Sequence, residues 1–394
     1  MKLRNFQDAD VKDKRVFVRS DLNVPMDGDR ITDDFRIVHA AETIRELLNR
    51  GAKVIIAAHL GRPKGVTPEL TLKPIAERLS NILDRPVAFL LRPSDYGGQV
   101  GNDAKGDVVM LENIRFDARE EANDPEYAAE LAKLADIYVN DAFGVAHRAH
   151  ASTEGIAHIL PSYAGLLIQR EVSELSKIIS NPRRPLLAII AGAKVSTKIE
   201  MLKNIINIAD AMIIDGAMGN TFRYAQGLSM GKSLFEPELI ETAQEIMTLA
   251  KSAGCRIIIS TDKAVAKVEE KCADSFIRGI DEIEPDDIIL DAGPESITNY
   301  LNEIDQAGTV IWNGPVGMYE WPNFARGSVA IARHLAKRTA EGKIISVAGG
   351  GDTVAVLNNT GLTDKLTYVS TAGGAFMEFI EGVTLPGIAV LEAK

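Results

Sequence analysis

The sequence predicts an α/β protein of two Rossmann-like, three-layer domains, each built on a parallel sheet, joined by a hinge helix. Three observations predict this fold class. Short apolar runs alternate with segments of helical periodicity along the whole chain. At 394 residues the chain is longer than one hydrophobic core usually supports. One amphipathic segment, 163–180, separates two series of apolar runs.

The apolar runs indicate the strands, because each is rich in Val, Ile, Leu and Ala and is bounded by Gly, Asp or Asn. In the first half we predict strands at 15–18, 53–58, 87–91, 107–111 and 136–140. In the second half we predict strands at 186–191, 211–215, 256–260, 287–290, 309–312, 343–347 and 366–370. Continuous apolar runs are typical of parallel strands covered on both faces. Ligands are therefore expected beyond the carboxyl ends of the strands, at facing edges of the two domains.

The segment 163–180 predicts the connecting helix. Its apolar residues recur at helical spacing, and two prolines, Pro182 and Pro185, follow it. Proline disfavours helical geometry in the residue before it, so the helix should end there. The domain boundary then falls near residues 170–185, which gives an N-terminal domain at 1–170 and a C-terminal domain at 171–374.

Composition limits the classes of function. Hydrophobic residues at 46% and charged residues at 25% are average for a globular protein. A net charge of −11 argues against nucleic-acid partners, which need a basic surface. Residues 1–14 lack the apolar stretch of a signal peptide, and no apolar run is long enough to span a membrane. With two cysteines, too few for a disulfide framework, we expect a cytoplasmic protein with no membrane partner.

Basic residues follow four of the predicted strands in the first half. The segments are RSDLNVP at 19–25, HLGRP at 59–63, LENIRF at 111–116 and NDAFGVAHRAH at 140–150. Arginine and histidine donate hydrogen bonds to phosphate and carboxylate. Four strands that are each followed by arginine or histidine at the same sheet edge predict an anion site there. Taken singly, each arginine is also compatible with a solvated surface position, and Asp21 and Asn23 with a simple turn.

Glycine-rich turns follow strands in the second half. AGAKVSTK at 191–198 carries Lys194 and Lys198, which we expect one helical turn apart at a helix start. SVAGGGDT at 346–353 places three glycines before Asp352 and Thr353, a pattern that lets backbone amides approach phosphate and lets Asp352 hold Mg²⁺. It has neither the Walker A ending nor GxGxxG. A surface lysine pair and a structural glycine turn are the alternatives.

Taken in order, these motifs resemble the phosphoglycerate kinase family over essentially the whole chain. The segments that carry the resemblance are RSDLNVP, HLGRP, LENIRF, DAFGVAHRAHAST, GAKVSTK, WNGPVGMYE at 312–320, GGGDT and STAGGA at 370–375. At 215–219, DGAMG stands where the family has a glycine triplet. The resemblance implies two domains, with residues after about 375 returning to pack on the first.

The resemblance also implies a division of the binding residues. The first domain is expected to bind 3-phosphoglycerate through Asp21, Asn23, Arg36, His59, Arg62, Arg115 and Arg148. The second is expected to bind Mg-ATP through Lys194, Lys198, Asn313, Glu320, Gly350, Gly351, Asp352 and Thr353, with Asp352 as the metal ligand. The expected catalytic residues are Arg36, Lys194, Gly351 and Gly374.

The implied reaction is reversible phosphoryl transfer between ATP and the carboxylate of 3-phosphoglycerate, which gives 1,3-bisphosphoglycerate and ADP in glycolysis and gluconeogenesis. The family implies a monomeric phosphotransferase with a carboxyl group as acceptor. Two other classes compete with this interpretation. A dehydrogenase is disfavoured because GxGxxG is missing. A catalytically silent sensor of phosphoglycerate or nucleotide is disfavoured because Arg36, Lys194 and Asp352 are all present, and a sensor needs affinity rather than transition-state stabilisation.

Overall fold

Within the part of the chain that the structure describes, the main elements are two six-stranded sheets, each parallel throughout. The computed structural model describes residues 2–92, 107–370 and 372–393. Its contacts divide the chain into two units, which we call unit 1 (Met1–Ser173 with Thr384–Lys394) and unit 2 (Glu174–Val383). The predicted fold class, two α/β domains on parallel sheets, is confirmed. Within the described ranges, no helix is long and apolar enough to cross a membrane.

Unit 1 contains the first sheet, with strand order β5-β6-β4-β1-β7-β8. Its strands are β1 (Arg15–Ser20), β2 (Met26–Asp27), β3 (Arg30–Ile31), β4 (Lys53–Ala57), β5 (Ala88–Leu90), β6 (Val108–Leu111), β7 (Ile137–Asp141) and β8 (Ser162–Ala164). Its helices are α1 (Phe35–Asn49), α2 (Lys73–Leu83) and α3 (Pro125–Ala132). The short strands β2 and β3 pair with each other as an antiparallel hairpin outside the main sheet.

Both faces of the first sheet are buried. Val16 and Val18 of β1 share a core with residues of α1 and α2. Between them, Phe17 points to the opposite face, where its ring lies 6.2 Å from that of Tyr138 in β7. All three side chains are fully buried, so β1 needs an unbroken apolar run rather than an alternating one.

Helix α4 (Leu166–Ser180) starts in unit 1 and ends in unit 2. The predicted segment began three residues earlier, but residues 162–164 form the edge strand β8, which the sequence pattern missed. Asp141, at the end of β7, accepts a hydrogen bond from the backbone N–H of Leu167 at 2.8 Å and so satisfies one free donor of the helix start. A side chain at Gly165 would collide with that carboxylate, 2.2 Å away.

Unit 2 contains the second sheet, with strand order β11-β10-β9-β15-β16-β17. Its strands are β9 (Leu186–Ala191), β10 (Ala211–Asp215), β11 (Arg256–Ile258), β12 (Asp262–Ala266), β13 (Phe276–Gly279), β14 (Ile288–Ala292), β15 (Thr309–Asn313), β16 (Ile345–Gly349) and β17 (Tyr368–Ser370). Its helices are α5 (Ile199–Ile206), α6 (Gly216–Tyr224), α7 (Ile240–Ala253), α8 (Pro294–Gln306), α9 (Arg326–Ala340), α10 (Gly351–Thr360) and α11 (Gly373–Ile380).

One predicted strand of unit 2 belongs to a different sheet. The apolar run at 287–290 was expected among the parallel strands, but it corresponds to β14, which pairs antiparallel with β12. Strand β13 completes this three-stranded sheet. An apolar run indicates burial and not the direction of its partner, so the pattern could not separate the two cases.

The end of the chain returns to unit 1 through the short helix α12 (Pro386–Ala389). Gly387 donates its N–H to the carbonyl of Ala146 at 2.9 Å and accepts from the Asn140 amide at 3.1 Å. A Cβ at Gly387 would lie 3.0 Å from the Cα of Ala146, so a side chain there would require this neighbour to shift by a few tenths of an ångström. The return was expected from about residue 375; it begins at Thr384, because α11 packs on α5 within unit 2.

We predict that the returning segment stabilises unit 1 specifically. Leu391 is fully buried, so Leu391→Ala should lower the free energy of unfolding by about 3 kcal/mol through the cavity it leaves. Hydrogen exchange read by mass spectrometry should show faster exchange in β1 and β7, with unit 2 unchanged. Val383→Ala, at a position 45% exposed just before the return, is the control and should change stability by less than about 0.5 kcal/mol. Loss of protection in unit 2 instead would contradict this assignment.

Candidate active site

The predicted anion-site residues of unit 1 follow four consecutive strands of its sheet, β6-β4-β1-β7. Asp21 and Asn23 come after β1, His59 and Arg62 after β4, Arg115 after β6 and Arg148 after β7. Because parallel strands end at the same edge, the sheet order brings these four loops together. The remaining predicted residue, Arg36, lies in the first turn of α1.

Arg36 is positioned by the loop after β1. Its Nη1 atom donates to Asp21 Oδ1 at 3.0 Å and to the carbonyl of Asn23 at 3.1 Å. A cation in the first turn of a helix opposes the helix dipole, and the carboxylate of Asp21 offsets that cost. The Arg36 side chain remains 27% exposed, so it can still reach a ligand.

Backbone groups of Gly61 connect three of these loops. The N–H of Gly61 donates to Asn23 Oδ1 at 2.9 Å, and its carbonyl accepts from Arg115 Nη1 at 2.9 Å. Gly61 has a φ of +64°, a conformation that side chains rarely adopt. Burial, reinforced by the charge of Arg19, lowers the pKa of Arg115 to about 10. The arginine is thus a desolvated cation beside a rigid loop.

Arg19, one of the basic residues at the predicted strand ends but not one of the expected binding residues, contacts His59. Its Nη2 atom lies 3.1 Å from His59 Nδ1, and its Nε donates to Ser152 Oγ at 2.9 Å. Since a guanidinium only donates, His59 Nδ1 accepts and the ring proton lies on Nε2. Burial and the charges of Arg19 and Arg115 hold the pKa of His59 well below its usual value. His59 is therefore a neutral donor.

The loop after β7 adds further cationic and imidazole groups. Arg148 is half-buried, and its Nε donates to His147 Nε2 at 3.1 Å. Burial and the neighbouring arginines lower the pKa of both His147 and His150 to about 4. Arg62 is exposed on the loop after β4. The site therefore holds permanent arginine charge with its histidines neutral near pH 7.

The predicted nucleotide residues of unit 2 follow three adjacent strands, β9, β15 and β16. Lys198 connects the first two, since its Nζ donates to the carbonyl of Ala191 and to Asn313 Oδ1, both at 2.6 Å. Asn313 in turn donates to the carbonyl of Gly349 at 2.8 Å. Burial lowers the pKa of Lys198 to about 8, although the charge of Asp352 partly opposes that shift.

The glycine-rich turn after β16 leads directly into α10. Gly350 has a φ of +98°, and a Cβ there would lie 2.7 Å from the Asn313 amide nitrogen. Gly351 and Asp352 open the helix and are exposed, with their amides at its positive end. Thr353 is buried, and its hydroxyl accepts from the N–H of Gly314 at 2.7 Å. In this structure its hydroxyl holds the loop after β15 in place.

The predicted lysine pair has a different geometry from the one expected. Helix α5 begins at Ile199, so Lys194 and Lys198 both lie in the turn before it and not on one helical face. Lys194 is exposed, whereas Lys198 is largely buried. Glu320 is exposed after β15, and Gly374 is exposed in the first turn of α11. Thr371, in the preceding motif, lies outside the described residues.

Asp352 suits an Mg²⁺ ion shared with phosphate. Mg²⁺ is typically held by one or two carboxylates, with phosphate oxygens and water completing its shell. Asp352 is exposed at a helix start and, among the described residues, belongs to no group of three or more metal-ligating side chains. Asp352 could therefore supply one carboxylate ligand, and a nucleotide and water would supply others.

The segment 215–219 forms the wall behind Gly192. Gly216 has a φ of +71°, and a Cβ there would lie 2.8 Å from the Gly192 carbonyl. Asp215 is fully buried; it pairs with Lys263 and accepts from the Tyr300 hydroxyl at 2.7 Å. The buried ion pair between Asp215 and Lys263 thus fixes this turn. The sequence analysis did not predict this ion pair.

Comparison with known proteins gives one consistent match. A family model described as Phosphoglycerate kinase matches residues 6–383. A phosphoglycerate kinase of Bradyrhizobium diazoefficiens is 51% identical, with 100% of this chain and 99% of that protein covered, and one of Caulobacter vibrioides is 49% identical with both chains fully covered.

Solved structures agree. The phosphoglycerate kinase of Coxiella burnetii has a TM-score of 0.88 at 40% identity, covering 99% of this chain and 98% of that chain. The phosphoglycerate kinase of Pyrococcus horikoshii has a TM-score of 0.84 at 29% identity, with the same coverage.

We predict that His147 and His150 weaken the protein in acid. Their folded pKa near 4 lies below the unfolded value of about 6.5, so between these values the unfolded chain binds protons that the folded chain does not. Stability is therefore lost as the pH falls from 6.5 towards 4, by at most about 1.4 kcal/mol per pH unit for each histidine and less for the more exposed His147.

Urea unfolding at pH 7 and pH 5 measures this effect. The His147→Gln/His150→Gln variant should lose less stability over this interval than the original chain. Glu120 and Asp141, whose pKa values burial raises, titrate in the opposite direction, and they contribute in both proteins. Parallel pH dependences would show that these histidines are not titrated by unfolding.

Proposed function

The chain belongs to the phosphoglycerate kinase family, and we propose which of its residues bind the substrates and which act in the transfer. It is a phosphotransferase that moves a phosphoryl group reversibly between ATP and the carboxylate of 3-phosphoglycerate. Units 1 and 2 serve as the acid-binding and nucleotide-binding domains. This assignment is supported by the different charged groups of the two units. Unit 1 has arginines after the ends of its strands, whereas unit 2 has a glycine turn, two lysines and one carboxylate.

In unit 1, the site favours a small ligand with several negative charges. Arg115 and Arg36 are held by backbone and carboxylate partners, so they are oriented before the ligand arrives. His59 adds an Nε2–H donor whose tautomer Arg19 fixes. We assign Asp21 and Asn23 to the hydroxyl and Arg36, His59, Arg62, Arg115 and Arg148 to the phosphate and carboxylate of 3-phosphoglycerate.

In unit 2, the turn at Gly350 and Gly351 opens the positive end of α10 towards the nucleotide phosphates. Lys194 and Lys198 supply cations, and Asp352 holds Mg²⁺, which reduces the negative charge on the phosphates when it is bound. Asn313 and Thr353 hold the surrounding loops by the hydrogen bonds described above. Glu320, exposed after β15, is assigned to the ribose hydroxyls.

The transfer itself needs little covalent chemistry from the protein. A carboxylate is already ionised and nucleophilic at neutral pH, so no general base is required. Its oxygen attacks the γ-phosphorus in line, the bond to the β-phosphate oxygen breaks, and ADP leaves. Arg36 and Lys194 neutralise charge on the transferring group, and backbone amides at Gly351 and Gly374 donate to its oxygens.

The wider setting is also part of the proposal. We assign the enzyme to glycolysis and gluconeogenesis as a cytoplasmic monomer that requires Mg²⁺. Both cysteines are free thiols, Cys255 buried and Cys272 exposed, which suits a reducing compartment. Light scattering coupled to size-exclusion chromatography tests the oligomeric state.

We predict that turnover depends on Lys194. In a coupled assay with 3-phosphoglycerate, ATP and Mg²⁺, which follows reduction of the acyl phosphate, Lys194→Ala should lower kcat by about 100-fold or more, because a charge that develops in the transition state loses its partner. Lys203→Ala is the matched control, since this lysine lies one helical turn into α5 and pairs only at the surface with Glu200. Equal activity of the two variants would refute the role given to Lys194.

We also predict that transfer requires a change in the arrangement of the two units. The proposed ligand sites lie on separate units, so the reacting atoms must be brought to within about 3–3.5 Å by domain closure. Small-angle X-ray scattering with 3-phosphoglycerate and a non-hydrolysable ATP analogue should give a smaller radius of gyration than either ligand alone. An unchanged radius with both ligands bound would refute closure.

A further inference from the structure

The turn that carries Lys194 is held by a buried carboxylate from another part of unit 2. Glu236, in the segment between α6 and α7, is only 9% exposed. Its Oε2 atom accepts the backbone N–H of Val195 at 2.5 Å and that of Ser196 at 3.1 Å. Its Oε1 atom accepts from the Ser196 hydroxyl at 2.5 Å. One carboxylate therefore receives three hydrogen bonds from the two residues that follow Lys194.

Glu236 is itself fixed in place. Its backbone N–H donates to Thr221 Oγ1 in α6 at 3.0 Å, and its carbonyl accepts from the N–H of Leu239 at 3.1 Å. The same helix α6 holds the other end of the turn, because the N–H of Met218 donates to the Gly192 carbonyl at 2.9 Å. The turn is thus held on both sides of Lys194 by one rigid element and the segment that follows it.

Among the residues that the structure describes, the Lys194 side chain has no hydrogen-bond or ion-pair partner of its own. Lys194 is exposed, whereas the neighbouring Val195 side chain is fully buried and the Lys194 carbonyl accepts from Thr197 Oγ1 at 3.0 Å. The direction in which Lys194 leaves the backbone is therefore set by the anchored backbone of Val195 and Ser196. Lys198 is anchored separately, through Ala191 and Asn313.

We propose that Glu236 is a positioning residue for phosphoryl transfer: its three hydrogen bonds to Val195 and Ser196 place Lys194 against the transferring group. This inference rests on the proposed role of Lys194. Where catalysis consists of alignment and charge neutralisation, a displacement of about 1 Å lowers the rate by about 100-fold. Nucleotide binding should depend on Glu236 much less, because Lys198 and the turn at Gly350 have other anchors.

The geometry distinguishes two substitutions at this position. Glu236→Ala removes all three acceptors and leaves two backbone donors unpaired. Glu236→Gln keeps the shape: its amide oxygen can accept both N–H groups, and the Ser196 hydroxyl can rotate to accept from the amide nitrogen. We expect Glu236→Ala to lower kcat by about 100-fold with the KM for ATP within about threefold, and Glu236→Gln to stay within about threefold of the original kcat. Glu238→Ala, at an exposed position of the same segment, is the control.

A double-mutant cycle with Lys194→Ala is the decisive test. If Glu236 acts through Lys194, Glu236→Ala should lower the residual kcat of Lys194→Ala by less than about threefold. If the two substitutions lower kcat independently, so that their fold-losses multiply in the double variant, the proposal is overturned. It is also overturned if Glu236→Ala, assayed at a temperature at which it is folded, has the original kcat. Equal losses in Glu236→Gln and Glu236→Ala would also overturn it, because charge and not geometry would then matter.

A replacement variant and the Lys194→Ala result by itself make the double-mutant test conclusive. Should Glu236→Ala fail to fold, Ser196→Ala replaces it in the cycle; this variant removes one of the three hydrogen bonds, and its smaller loss of kcat must likewise disappear in the Lys194→Ala background. If Lys194→Ala itself keeps full turnover, the proposed function of Lys194 fails. If Lys194→Ala loses turnover and Glu236→Ala does not, only the present inference fails.

Discussion

Burial of both faces of each sheet is the constraint on which the rest of the structure depends. In β9, all six side chains are buried, and the same holds for the five residues of β7, β10 and β15. Parallel strands leave no solvated face on which polar chemistry can be placed. Both proposed sites are therefore built from the loops after the carboxyl ends of the strands, where neighbouring strands bring residues from distant parts of the chain together.

The chemistry of unit 1 follows from cations that are partly removed from water. Burial lowers the pKa values of Arg19 and Arg115, so both charges are costly without an anion nearby. Arg19 reaches a counter-charge indirectly, because its partner Ser152 donates to the buried carboxylate of Glu120 at 2.6 Å. Arg115 has a partly exposed partner, because its Nε lies 3.3 Å from Glu121 Oε1. In the proposed function, a phosphate or carboxylate ligand adds a second counter-charge beside this buried cation.

The chemistry of unit 2 depends on polar side chains that support the backbone of its loops. Asn313, Thr353 and Glu236 each form hydrogen bonds with backbone groups of a neighbouring segment. Rigid support of this kind matters more for phosphoryl transfer than for acid–base catalysis, because alignment supplies most of the rate. It also leaves the groups proposed to face the ligand exposed, Lys194 in the turn before α5 and Asp352 in the first turn of α10.

The sequence by itself determined the strands of the two parallel sheets except β8, and also the connecting helix, the four basic loop segments and the glycine turn at 346–353. Each of these is a local pattern of burial or backbone geometry that one stretch of chain displays. The tertiary structure alone decided that 287–290 pairs antiparallel, that the return begins at Thr384 and that Arg19 contacts His59. It alone brought Glu236, 41 positions from Val195, to the turn of Lys194. Such contacts depend on which elements become neighbours in space. That arrangement results from packing across the whole domain, so a local sequence pattern does not reveal it.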